Sequence, residues 1–142
     1  MLAYERGRDL AQRYRMEPRA DLRPMLRDLG VEIVPWRFDG RVREVIIEGC
    51  VGIDDRLGEA WTRWLTAHAV GHHLLHTGAS LYLESWQWVS KVKAERQAEE
   101  FAAGLLSLGW SVRPATPKGL ARRLGIPESK AELILALEPA GG

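Results

Sequence analysis

The chain has 142 residues, of which 46% are hydrophobic and 27% are charged, so it is long enough for a single globular domain with a sizeable core. Its formal net charge of +1 gives no electrostatic argument for or against a nucleic-acid partner. The single cysteine, Cys50, excludes an internal disulfide and a cysteine-rich zinc site.

The N-terminal segment is predicted to form two helices. Apolar residues at helical spacing alternate with charged ones over residues 2–15, and a Met-Glu-Pro sequence then breaks the pattern. A second short helix is predicted over 20–29, with Asp21 as its N-cap and Gly30 at the position that commonly ends a helix.

The hydrophobic period then changes to that of strands. Residues 31–34 begin a first strand, which Pro35 assigns to a sheet edge. The dipeptide at 39–40, Asp-Gly, is a turn signal, and residues 43–48 are rich in β-branched side chains. Residues 50–54 make a third short strand. We therefore expect a small, mainly antiparallel, three-stranded sheet.

A central helix is predicted over roughly 57–77, with Asp54 or Asp55 as its N-cap. Gly71 lies in its interior, where glycine costs about 1 kcal/mol relative to alanine. Such a cost is best explained by the close approach of another backbone, most simply that of the sheet.

The C-terminal half is predicted to be helical. A long helix runs over about 91–108 and carries Glu95 and Glu99 one turn apart. Two short helices follow at 117–124 and 128–137, separated by a Gly-Ile-Pro turn. We expect a single domain over residues 1–142, in which 1–110 form the core and the helix pair at 115–137 packs as an extension.

Two histidines of the central helix indicate a metal site. His68 and His72 are four residues apart and therefore share one helix face, which is the spacing of the zinc-protease motif H-E-x-x-H. Zinc needs at least one further protein ligand. Glu95 is the candidate, with Glu99 one turn further as the fallback. A buried histidine pair that is hydrogen-bonded to the backbone is the alternative.

The segments around these residues resemble the ImmA/IrrE family of zinc metallopeptidases, a branch of the gluzincins. The family pattern is roughly A-H-E-h-G-H-x-L-L-H, followed after a loop by E-x-x-A-[ND]-x-F-A-x-x-L-L. This chain has AHAVGHHLLH at 67–76 and ERQAEEFAAGLL at 95–106. The order of the predicted elements also agrees, so the resemblance extends over about 2–137. It implies an α+β, zincin-like fold.

Residue by residue, the resemblance makes His68, His72 and Glu95 the ligands of a zinc ion. Members of the family cleave repressor-like regulators, so the resemblance implies a protein or peptide substrate of that kind. Three positions depart from the pattern: Ala69 replaces the catalytic Glu, Glu99 replaces Asn or Asp, and Ser107-Leu108 replaces Met-Pro.

The alanine at position 69 removes the general base, so no catalytic residue is assigned. Loss of a general base costs about 10²- to 10⁴-fold in rate. Three explanations stay open: a natural pseudo-enzyme, a deliberate Glu-to-Ala replacement, or another carboxylate, such as Glu84 or Glu99, acting as the base. We expect a metallopeptidase-like domain of weak or absent hydrolytic activity.

Two alternative functions remain. One is a non-catalytic module that binds a regulator or responds to zinc. The other is a DNA-binding regulator acting through 117–137, although the second helix of that pair is acidic and apolar rather than basic. The sequence contains no run of about 18 apolar residues and no signal-peptide core, so a cytoplasmic location is the default expectation.

Overall fold

The computed structural model describes residues 2–47, 49–76, 85–107 and 116–137. Within 85–107, side chains are described from residue 92 onward. This part of the chain has an α+β fold, as predicted. Its elements are α1 (Leu2–Arg13), α2 (Arg23–Leu29), β1 (Glu32–Trp36), β2 (Glu44–Ile47), β3 (Cys50–Asp54), α3 (Glu59–Leu75), α4 (Ser85–Ser107), α5 (Pro117–Leu124) and α6 (Glu128–Leu137).

The short helix α2 ends as predicted but begins later. Gly30 caps its C-terminus with φ 72°, in the left-handed region that favours glycine. The predicted N-cap was wrong, because Leu22 is the N-cap residue and no side chain caps this end. Asp21 instead accepts hydrogen bonds from the backbone N–H and the guanidinium of Arg23. These bonds lower the pKa of Asp21 to about 2.

The sheet is mixed rather than mainly antiparallel. Its strand order is β1-β3-β2, in which β3 runs parallel to β1 and antiparallel to β2. The central strand β3 is the most buried, since Val51 and Ile53 are 1% and 2% exposed, and both other strands pair with it. The turn at Asp39 and Gly40 therefore does not close a hairpin but leads the chain to the far edge. Pro35 lies on an edge strand, as predicted.

The central helix α3 begins two residues later than predicted and has no side-chain cap. Its N-cap is Gly58, so the assignment of this role to Asp54 or Asp55 was wrong. The buried carboxylate of Asp54 is already engaged by Arg56, accepting from its backbone N–H at 2.9 Å and from its guanidinium at 2.6 Å. These bonds close the loop that leads from β3 into α3.

Glycines allow α4 to approach two other helices closely. A Cβ on Gly71 of α3 would lie 3.1 Å from Phe101 Cβ, so the predicted close approach exists but its partner is α4 and not the sheet. The contact with α1 is closer still. A Cβ on Gly7 would lie 2.2 Å from the Phe101 carbonyl oxygen, and one on Gly104 would lie 2.0 Å from the Tyr4 carbonyl oxygen. The helices α1 and α4 thus touch backbone to backbone.

The two last helices have the predicted bounds. Thr116 caps α5 by accepting a hydrogen bond from the Gly119 N–H at 3.1 Å, and Gly125 ends the helix with φ 69°. Ala131 and Ile134 of α6 are fully buried and join one hydrophobic core with α1, α3 and α4. In the described segments, no helix is long and apolar enough to cross a membrane.

Candidate metal centre

Two neighbouring helices bring three potential metal ligands together. The rings of His68 and His72 follow each other on one face of α3, with centroids 4.7 Å apart. The packing of α4 against α3 places Glu95 beside both rings. Its Oε2 lies 3.0 Å from His68 Nε2, and its Oε1 lies 3.0 Å from His72 Nε2. One atom from each residue can be chosen so that all three lie within 4.8 Å of one another.

The histidine pair is held by side chains and not by the backbone. His68 is 4% exposed, whereas the side chain of Glu95 is 47% exposed, so solvent reaches the cluster at this carboxylate. The contacts of both rings go to carboxylates or to another imidazole. This arrangement differs from the backbone-bonded pair that was the alternative interpretation of the sequence.

A second carboxylate lies behind His68. Glu44 of β2 places its Oε1 2.9 Å from His68 Nδ1, the ring nitrogen that faces away from Glu95. The Glu44 side chain is only 16% exposed. Its Oε2 and the facing His68 Nδ1 are both buried, and neither makes a well-directed hydrogen bond in the described part of the chain, so the 2.9 Å contact is an ion pair. A carboxylate behind a ligand imidazole fixes the ring and its tautomer. Glu44 was not predicted from the sequence, where the available signal is an acidic residue inside a strand rich in β-branched side chains.

His72 is supported by a chain of side-chain contacts. Its Nδ1 lies 3.2 Å from His76 Nδ1, and His76 Nε2 lies 2.9 Å from Gln97 Oε1. His76 is thus hydrogen-bonded near the end of α3. His73 is partly buried, with its Nε2 3.0 Å from the Leu29 carbonyl oxygen.

When protons and no metal are bound, the cluster strongly favours the charged forms of His68 and Glu95. Burial opposes the charge on His68, but the adjacent carboxylates of Glu44 and Glu95 outweigh burial and raise the pKa of His68 to about 10. Hydrogen bonds from His68, and then from His72, hold the pKa of Glu95 far below its usual range. A cation is therefore the group that this cluster favours, because carboxylates lie beside both nitrogens of the His68 ring.

The fallback ligand Glu99 is engaged elsewhere. Its Oε2 accepts a hydrogen bond from Trp64 Nε1 at 2.7 Å, and its Oε1 pairs with the ammonium group of Lys130 on α6. Trp64 itself is fully buried. Glu99 therefore ties α3, α4 and α6 together. The other carboxylate considered as a base, Glu84, lies outside the described residues.

Ala69 is fully buried and belongs to the hydrophobic core. Its methyl group cannot accept a proton.

No protein family and no curated protein matches the chain. The residues of the site itself are two imidazoles and a carboxylate, which form a donor set suited to zinc, and a further carboxylate lies behind one of the imidazoles.

We expect Glu44→Gln to weaken metal binding by about 10- to 100-fold, since an amide removes the charge that supports the His68 ring. Titration with Co²⁺ or Zn²⁺ would measure the change in Kd. Glu32→Gln is the matched control, because Glu32 is exposed on the other edge strand. Equal Kd values for the two variants would contradict this role of Glu44.

Proposed function

We propose that the chain binds one zinc ion through His68, His72 and Glu95, as a metallopeptidase-like domain of the ImmA/IrrE type with a zincin-like fold. The observation that carries the proposal is the Glu95 carboxylate, whose two oxygens each lie 3.0 Å from the Nε2 atom of one histidine. Two histidines and a glutamate are the protein ligands of many catalytic zinc sites. The order of helices and strands also agrees with that implied by the resemblance.

The donor set fits a zinc ion in its charge as well. Neutral imidazoles and one carboxylate offer a single negative charge to a dication, and the Glu44 carboxylate adds a second negative charge behind His68. The side chain of Glu95 is 47% exposed, so solvent reaches the carboxylate ligand. Catalytic zinc sites keep such an open position, whereas structural sites are closed by four protein ligands.

Among the described residues near the cluster, none is placed to supply the proton transfers that peptide hydrolysis requires. A bound zinc ion would act as a Lewis acid toward a carbonyl group. Ala69 cannot accept a proton, and Glu99 is held by Trp64 and Lys130. We therefore propose a domain that binds a protein or peptide partner, such as a repressor-like regulator, and hydrolyses it weakly or not at all.

The first test is the zinc content of the purified protein. We expect about one zinc ion per chain in the wild type, and loss of that zinc in His72→Ala, because one of three ligands is removed. His73→Ala is the matched control, since the neighbouring imidazole contacts the Leu29 carbonyl and not the cluster. Wild-type protein that binds no zinc after zinc loading would overturn the proposal.

Restoring the acid at position 69 tests the peptidase character of the scaffold. We expect Ala69→Glu to raise the rate of peptide-bond hydrolysis by about 10²- to 10⁴-fold, the usual effect of a general base. Cleavage of candidate repressors and of a peptide library would be followed by mass spectrometry. Ala69→Gln is the control, because its side chain has the same size but cannot take the proton. Zinc-loaded Ala69→Glu protein that folds and remains inactive would favour the non-catalytic binding module.

A further inference from the structure

A cavity lies on the face of α3 opposite to the metal cluster. Its volume is about 460 Å³, and α2, β1, α3 and the Gly125 turn contribute to its walls. Successive helical residues are about 100° apart, so Thr62, Arg63 and Thr66 lie on the other side of α3 from His68 and His72. Cavities of this volume hold small organic molecules.

The wall of this cavity contains a partly buried cation without a counter-ion. Arg63 donates one hydrogen bond, from Nη1 to the Ala20 carbonyl oxygen at 2.7 Å. Its Nε is buried and has no acceptor in the described segments, and no carboxylate there forms an ion pair with it. Burial and the positive charge of Arg19 lower the pKa of Arg63. A guanidinium held in this way is stabilised by an anion that reaches it.

The other charged side chains that line the cavity do not neutralise Arg63, so one anion can still pair with it. Arg19 also lines it, and its backbone adopts φ 64°, a left-handed conformation that is uncommon outside glycine. Its guanidinium donates to the Arg122 carbonyl oxygen at 2.7 Å and has no carboxylate partner in the described part of the chain. Of the two lining carboxylates, Asp21 is paired with Arg23, and Glu59 is exposed in the first turn of α3.

The rest of the lining is largely apolar. Leu22 and Leu26 of the α2 region, Ile33 of β1 and Leu57 before α3 contribute hydrocarbon surface. Phosphate or sulfate would use the guanidinium but leave this surface in contact with water. A ligand that buries the apolar surface and also neutralises Arg63 satisfies both parts of the cavity.

We propose that this cavity binds a small organic carboxylate with an apolar body, whose carboxylate pairs with Arg63. The guanidinium fork matches a carboxylate in shape and charge, and the apolar body lies against Leu22, Leu26 and Ile33. This site is independent of the metal cluster, so either assignment can fail without the other.

Hexanoate is the probe for the test, with hexanol and hexylamine of the same chain length for comparison. We expect the full-length wild-type protein to bind hexanoate with a Kd of about 1 mM in a saturation-transfer NMR titration. The alcohol and the amine should bind at least about tenfold more weakly, because neither forms a charge-assisted pair with a guanidinium. Binding of hexanol as tight as that of hexanoate, preference for inorganic phosphate, or no saturable binding would each overturn the proposal.

Two variants separate the carboxylate contact from the fold. Arg63→Met should weaken hexanoate binding about tenfold or more, whereas Arg6→Met, an exposed arginine on α1, should leave it unchanged. Arg63 also holds the Ala20 carbonyl, so its loss can affect folding. Thr62→Phe therefore provides a second route, because it fills part of the cavity while keeping Arg63. Folded Thr62→Phe protein that binds hexanoate as the wild type does would contradict the site. Zinc content should be the same in all these variants.

Discussion

Gly104→Ala is expected to destabilise the protein by about 3–5 kcal/mol, a value near the upper end of single-residue effects. The added Cβ would lie 2.0 Å from the Tyr4 carbonyl oxygen and 3.1 Å from the Arg8 nitrogen, both on the backbone of α1. A side chain could rotate away from such a clash, but a helix backbone cannot. The helices α1 and α4 must separate, and the core between them loses its close packing.

Urea unfolding followed by circular dichroism would measure this loss of stability. Gly58→Ala is the matched control, since a Cβ at Gly58 meets no heavy atom within 4 Å and the backbone there has φ −66°. Its cost should stay within about 1 kcal/mol, the effect of replacing a glycine N-cap by alanine. A Gly104→Ala protein as stable as the Gly58→Ala protein would show that α1 and α4 do not touch at Gly104.

Zinc is expected to stabilise the fold more as the pH rises from 6 to 8, while the metal-free protein changes in the opposite direction. Without metal, the pKa of His68 is raised from 6.5 to about 10. A raised pKa contributes stability that is fully present below about pH 6.5 and is lost as the pH rises through about 10. Zinc binding needs the neutral imidazole, so the ion must displace the proton of His68.

Displacement of one proton strengthens zinc binding by about tenfold per pH unit. The stabilisation of the folded protein by zinc therefore increases by about 2–3 kcal/mol between pH 6 and 8. At zinc concentrations about 1,000 times the Kd, the total stabilisation is about 4 kcal/mol. Thermal or urea unfolding with and without zinc at the two pH values would measure both trends. His72→Ala should abolish the zinc effect at either pH. A zinc effect that is the same at pH 6 and pH 8 would contradict proton displacement at His68.

Local patterns in the sequence predicted that the helices exist, although α4 begins at Ser85 and not near residue 91. The three candidate ligands lie together in the structure. The helix α5 is bounded by Pro117 and Gly125, whose backbone preferences act regardless of the rest of the chain. His68 and His72 share a face because any helix places positions four apart on one side. Their role as metal ligands stays a prediction, although the structure places Glu95 beside both.

Features that depend on contacts between distant segments were not predicted. The sheet order follows from the burial of β3, and the turn at Asp39 and Gly40 carries no information about which strand pairs with which. The role of Glu44 requires β2 to lie beside α3, which no local pattern reveals. Gly7 and Gly104 were detectable in principle, since a glycine inside a helix costs about 1 kcal/mol, the same argument that identified Gly71.

The candidate ligands and their supporting carboxylate are widely separated along the chain, at Glu44, His68, His72 and Glu95. Bringing such distant residues together requires the loops between them to close, so an unfolded chain cannot present the complete set to an ion. Zinc would therefore recognise the assembled molecule and not its precursors. Interactions that form after the folding transition state slow unfolding and leave the folding rate nearly unchanged. The zinc ion would chiefly lengthen the lifetime of the native protein, because it would keep α3, α4 and β2 in contact after they have packed together.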